Sequence, residues 1–364
     1  MRKSQVSSQF NWVFVLIVGG MFLLIFFTMG RRQTDAADVR ISATAISGLS
    51  TILESARTGT SLSTIIDIPE IEIEFSCEII RDNIIYSDYR VGPMSKKLPI
   101  LPTFVPGVLN SRNLITWTMS WDMPFKIMNF LYLANNDMRF FFYFPDNQFI
   151  SFERLINETF SNNIKHVFAR DSDNILDYNE EYSIIVIFSN DDNFVANLDF
   201  DPGNRFRKQV RIIQIKPSED NIFGHVKYFD RNRNQVGSQV AYYGLASFYG
   251  AIFSESDEFY TCSMLKAMER FKRVSCIYKQ KFERMRESYL SVPGCLNVYS
   301  GTVNYVSNYF EYGGMSFCIS SGDEISLGDF EKTDFSEYTR ERTFYRNIAQ
   351  SNRQAILNSC ELLY

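Results

Sequence analysis

The sequence predicts an α/β fold with a mostly parallel sheet, flanking helices and an antiparallel hairpin at the sheet edge. An N-terminal transmembrane helix, a stalk and a β-rich lead-in precede this sheet, and a long helix and a helical C-terminal part follow it. Three observations predict this architecture. They are an uncharged apolar run near the N-terminus, continuous apolar strands alternating with helical spacing, and a later helical stripe without glycine or proline.

The first of these observations is the uncharged apolar run near the N-terminus. No charged side chain occurs between Lys3 and Arg31, and nearly every residue from Trp12 to Met29 is apolar. A helix over that run is roughly 27 Å long, close to the hydrocarbon thickness of a bilayer. A cleaved secretory signal has a shorter apolar region, about 7–15 residues, before a small-residue cleavage site. The pattern therefore predicts a transmembrane helix over 10–30 after a tail or leader over 1–9, with the lipid bilayer as partner through Trp12 to Met29.

The short basic N-terminus predicts a single-pass protein of the cell membrane whose residues 31–364 lie outside the cytoplasm. Gln5, Ser7 and Phe10 follow "RKS", and this start resembles the class III signal of archaeal type IV pilins. The resemblance implies cleavage between Ser4 and Gln5 and an apolar helix that mediates polymerisation. Gln9 stands where that family has glutamate. The segment "QFNWVFVLIVGG" also resembles the start of uncharacterised single-span archaeal membrane proteins. An ordinary signal anchor is the alternative to the pilin-like signal.

Residues 31–69 are predicted to form a stalk helix and a linker. Apolar residues there recur at three and four positions, which is the helical period. They are Val39, Ala43, Ile46, Leu49, Leu53 and Ala56. The stalk either associates with other copies or partners, or packs on its own head. Gly59 and Pro69 end the pattern.

The head is predicted in three parts. Residues 70–135 alternate in short runs between prolines, which indicates a β-rich lead-in. Residues 136–256 form the α/β sheet domain, because "MRFFFYF", "IKHVFA" and "YSIIVIF" are continuous apolar strands around the helical "FERLINETF". The segment "GHVKYFDRNRNQVGSQVAYYG" is the hairpin at the sheet edge. Residues 257–364 form the helical C-terminal part, beginning with a helix from Asp257 to Leu290.

The cysteines favour an oxidising compartment, because all six lie beyond the apolar run. They are Cys77, Cys262, Cys276, Cys295, Cys318 and Cys360. Cys262 and Cys276 are 14 positions apart in one predicted helix, or roughly 21 Å along its axis, too far for a disulfide. We expect at least one link from this helix to the C-terminal part; six buried free thiols are the alternative. Asn157 begins the single N-glycosylation sequon of the sequence, a possible glycosylation site.

The composition and motifs predict no cofactor, no metal and no nucleic acid. The net charge is −5, and no glycine follows the first predicted sheet strand at "FYFPDNQFISFE", where a phosphate loop would lie. A group of acidic residues follows "YSIIVIF" without the spacing of a calcium loop. It comprises Asp191, Asp192, Asp199 and Asp201. Ser247 in "GLASFYG" lacks the tight nucleophile elbow, and His166 and His225 lie in apolar runs typical of structural histidines.

Three functions remain open from the sequence. The leading hypothesis is a membrane-anchored structural or interaction protein of the cell surface, with an unknown ligand. The second is an anchored hydrolase outside the membrane that uses the strand-end cleft around Asp146 or Asp191. The third is a pilin-like filament subunit assembled through the first helix.

Overall fold

The computed structural model describes residues 3–56, 59, 62–80, 84–98, 101–170, 182–198, 209–218, 222–311 and 339–364, and within 3–56 the side chains from Leu16 onward with gaps at 32 and 34–38. The helices are α1 (Lys3–Ala56), α2 (Ile150–Thr159), α3 (Gly244–Phe253), α4 (Asp257–Ser288), α5 (Pro293–Glu311) and α6 (Thr339–Leu357). The strands are β1 (Ser63–Ile80), β2 (Ile84–Val91), β3 (Met94–Lys97), β4 (Thr103–Phe104), β5 (Val108–Asp122), β6 (Lys126–Asn135), β7 (Met138–Tyr143), β8 (His166–Ala169), β9 (Tyr182–Phe188), β10 (Gln209–Pro217), β11 (Phe223–Phe229) and β12 (Gln235–Tyr243).

The strands form two mixed sheets, which corrects the prediction of one mostly parallel sheet. The first has the order β3-β2-β1-β5-β6-β4 and is antiparallel except where β4 pairs with β6. The second has the order β12-β11-β10-β9-β7-β8, with β8, β7, β9 and β10 parallel and the β11–β12 hairpin antiparallel. The prediction was wrong because the segment before β7 builds a complete sheet of its own, starting at Ser63.

The transmembrane helix expected at 10–30 is also corrected. Among the residues that the structure describes, no helix has both the length and the apolarity needed to cross a bilayer. The segment instead forms the N-terminal part of one helix, α1, which runs on to Ala56. The predictions of a membrane protein, a single pass and a signal anchor therefore lack structural support.

The second part of α1 packs on the head. Ile46, Leu49 and Leu53 are buried, and the Tyr89 hydroxyl on β2 donates a 3.2 Å hydrogen bond to the carbonyl of Ile46. Of the two alternatives for the stalk, packing on its own head therefore holds for this part of the helix.

The core lies between the two sheets, where α3 is almost wholly buried. Trp121 Nε1 on β5 donates to the Tyr243 carbonyl (2.7 Å), and the Tyr132 hydroxyl on β6 donates to the Ala246 carbonyl (2.7 Å). The chain can turn sharply from β12 into α3 because Gly244 adopts a φ of 81°. The aromatic residues thus join the sheets through hydrogen bonds as well as through apolar contact.

Two described disulfides connect distant parts of the chain. Cys77 on β1 bonds Cys262 on α4, and Cys295 on α5 bonds Cys360 in the C-terminal tail. Cys262 therefore does not pair with Cys276, which is also disulfide-bonded. Cys318 lies outside the described residues, so the expected link from the long helix to the C-terminal part stays a prediction.

Candidate functional site

The polar residues expected to form a cleft at the strand ends mostly neutralise one another. Asp192 lies 2.7 Å from Lys227 Nζ and 3.5 Å from Lys216 Nζ. The hydrogen bond from Lys227, then its charge and that of Lys216, lowers the pKa of the Asp192 carboxyl. Asp191 accepts a 2.9 Å hydrogen bond from the Asn193 backbone N–H and closes a local turn. These contacts indicate a solvated, ion-paired loop.

Asp146 and its neighbours are engaged in the same way. Asp146 accepts a hydrogen bond from Gln148 Nε2 (3.1 Å), and Arg170 donates to Glu153 (2.8 Å). No group of His, Cys, Asp or Glu suited to a metal ion occurs in the part of the chain that the structure describes. Asp199 and Asp201 lie outside that part. Among the described residues, the strand ends therefore present no set of convergent groups left for a substrate.

The predicted serine and histidine candidates have structural environments. Ser247 Oγ accepts from the Tyr243 backbone N–H and donates to the Gly244 carbonyl (3.0 Å), so it fixes the start of α3. His166 Nδ1 lies 2.9 Å from the Ile164 carbonyl, and the ring contacts phenylalanines. His225 lies on β11. No described contact brings these three residues together into a catalytic group.

A different constellation occurs where α4 crosses the first sheet. Lys266 Nζ donates a short hydrogen bond to Ser87 Oγ on β2. The two residues are buried, with exposed fractions of 9% and 7%. Lys266 takes part in none of the ion pairs found among the described residues. A buried ammonium without a carboxylate partner is uncommon and is a recognised mark of a functional site.

The adjacent disulfide fixes this geometry. Cys77 is the cross-strand partner of Ser87, and Cys262 lies one helical turn before Lys266 on α4. The Cys77–Cys262 bond therefore holds α4 against β1 with a Cα–Cα distance of 5.8 Å, directly beside the lysine–serine contact. We call Cys77, Ser87, Cys262 and Lys266 the α4–β2 site.

Burial changes the chemistry of the amine at this site. Loss of solvent disfavours the charged form and lowers the pKa of Lys266 from 10.5 to about 8. A substantial fraction of the side chain is therefore a neutral amine, able to accept a proton, at mildly alkaline pH. The serine hydroxyl is the group from which it can take that proton.

No sequence pattern predicted the α4–β2 site. The one local signal was a lysine inside "TCSMLKAMERF", where the residues from Ser263 to Met268 are buried without interruption. The sequence around Ser87 contains no motif that would mark it as a nucleophile. Of the other predicted positions, Asn157 is exposed on α2, and Ser4 and Gln5 lie at the start of α1, where side chains are not described.

Comparisons with protein-family models, with curated proteins and with solved structures gave no match to this chain.

Proposed function

We propose that this protein is a structural or interaction protein that works outside the cytoplasm and assembles with other copies of itself through the N-terminal part of α1. The head would be displayed by this assembly. The proposal keeps the structural and pilin-like hypotheses from the sequence and gives α1 the role of the contact between chains.

The observation that carries the proposal is the exposed apolar surface of α1 between Leu16 and Met29. Large apolar side chains there point in all directions around the helix, and Leu23, for example, is 73% exposed. Apolar surface of this extent marks an interaction site. A helix that is apolar all round requires cover on every side, and several copies of the same helix supply it.

The rest of the chain is consistent with this role. From Ser42 to Leu53 α1 packs on its own head, so the helix is held firmly at one end while its apolar part extends away. The two described disulfides favour a compartment outside the cytoplasm, because such bonds persist under oxidising conditions. The alternative of a hydrolase at the strand ends gains nothing from the contacts found there.

Cysteine crosslinking of the full chain tests the proposal. Leu23→Cys, placed in the apolar part of α1, should give dimers linked through residue 23 under mild oxidation of assembled protein. Thr51→Cys is the matched control, since Thr51 is exposed on the same helix beside the head. A chain that stays monomeric in detergent, and in which Leu23→Cys gives no more dimer than Thr51→Cys, would contradict the assembly.

Mass spectrometry of the native protein tests the pilin-like form separately. Processing between Ser4 and Gln5 would make Gln5 the first residue of the mature chain. An intact N-terminus would reject the pilin-like form and leave the assembly through α1 to the crosslinking result.

A further inference from the structure

The α4–β2 site is not used by the proposed function. Its lysine and serine belong to elements far apart in the sequence, at a separation of 179 residues. The disulfide beside them fixes their relative position. Ser263, a buried serine on α4, donates to the Thr103 carbonyl (3.0 Å) and has no lysine contact among the described hydrogen bonds. Ser87 therefore has a partner that the comparable serine lacks.

We propose that Ser87 and Lys266 form a nucleophile–base pair that cleaves carboxylic esters or amides through an acyl-serine intermediate. A serine hydroxyl is a weak nucleophile until an adjacent base removes its proton, and a neutral lysine amine in hydrogen-bond contact can do so. Burial keeps a fraction of the Lys266 amine neutral, and the Cys77–Cys262 bond holds it in place.

The proton transfers of this reaction use only these two residues and water. The Ser87 hydroxyl proton passes to Lys266 Nζ while Oγ bonds to the substrate carbonyl carbon. The bond to the leaving alcohol or amine then breaks, and that group takes the proton from Nζ. Water attacks the acyl-serine, its proton passes to Nζ, the bond from carbon to Oγ breaks, and Oγ recovers the proton. The products are a carboxylic acid and an alcohol or amine, with both residues restored.

The proposed reaction requires the substrate to approach along the edge of β2 that precedes Ser87. From Asp88 onward β2 pairs with β3, whereas Ile84, Ile85 and Tyr86 pair only with β1 among the described residues. This unpaired edge ends at Ser87, whose carbonyl accepts a 3.0 Å hydrogen bond from the Leu98 backbone N–H. An acyl group carried on an extended chain would reach the hydroxyl from that side.

Labelling with an alkyl fluorophosphonate tests the proposal, because this reagent phosphorylates an activated serine and releases fluoride. The full-length oxidised protein should be labelled at Ser87, as located by peptide mass spectrometry. The labelling rate should rise with pH and level off above pH 8, following the neutral amine. Lys266→Met should lower the rate at pH 8 by about 100-fold, within the range for loss of a general base.

Controls separate this role from a structural one. Ser87→Ala should remove the label, and Ser263→Ala should keep it at the wild-type rate. The thermal unfolding of each variant, measured alongside, shows that the head is folded. An absence of label at Ser87 at pH 9, or an unchanged rate and pH profile in folded Lys266→Met, would overturn the proposal.

Discussion

Replacing Lys266 by methionine should stabilise the protein at neutral pH. Methionine has a similar length and no charge, so the change removes a buried ammonium and leaves the packing of α4 largely intact. Burial lowers the pKa of Lys266 from 10.5 to about 8, and each pKa unit corresponds to about 1.4 kcal/mol. The charged lysine therefore costs about 3 kcal/mol of folding free energy below pH 8. Loss of the hydrogen bond to Ser87 offsets about 1 kcal/mol of the gain. The expected net gain is about 2 kcal/mol.

The pH dependence of this gain is the sharper test. Because the folded-state pKa lies below the unfolded one, the unfolded chain binds the additional proton between about pH 8 and pH 10.5. Wild-type stability relative to the variant therefore rises across that window, and the full cost is present only below it. By pH 10.5 the advantage of Lys266→Met should have disappeared, and the lost hydrogen bond should leave the variant slightly less stable.

Denaturant unfolding of the oxidised proteins at several pH values between 7 and 10.5 measures both effects. Lys97→Met is the control, since Lys97 is exposed on β3 and its replacement should change the unfolding free energy by no more than about 0.5 kcal/mol. A Lys266→Met variant less stable than wild type at pH 7 would refute the reasoning. A difference that stays constant from pH 7 to 10.5 would refute it as well.

Three further outcomes are expected. The double change Cys77→Ala with Cys262→Ala should lower the unfolding free energy by about 5 kcal/mol in the entropic model, because the bond joins residues 185 apart. Denaturant unfolding measures this loss. A loss smaller than that caused by removing the Cys295–Cys360 disulfide would contradict the prediction. Gly224→Ala should cost about 2 kcal/mol, because its Cβ would lie 2.6 Å from the ring of Tyr242 and 2.6 Å from the backbone of β10; an unchanged melting temperature would count against the packing at this position. Calcium should leave the melting temperature of wild type and of Asp192→Asn unchanged, since Lys216 and Lys227 already neutralise the Asp192 carboxylate. A rise by several degrees in wild type that disappears in the variant would show that Asp192 binds calcium.

The sequence by itself determined the local elements. The stretch from Asp257 onward lacks glycine and proline, and it forms one helix to Ser288 as its apolar stripe indicates. The continuous apolar runs "MRFFFYF" and "YSIIVIF" form β7 and β9, which are parallel neighbours in a sheet buried on both faces. Such features follow from backbone preference and hydrophobic period, which act within a few residues and can be read directly.

Only the tertiary structure decided which of these elements meet. Cysteine spacing excluded a bond between Cys262 and Cys276 but could not select Cys77, whose strand reaches α4 through the packing of the first sheet. The extra sheet before β7 escaped prediction because alternating runs show that strands form and not which strands pair. The contact between Lys266 and Ser87 likewise depends on two surfaces 179 residues apart being buried together. Burial, and with it the lowered pKa of the amine, arises only when those surfaces close and exclude water.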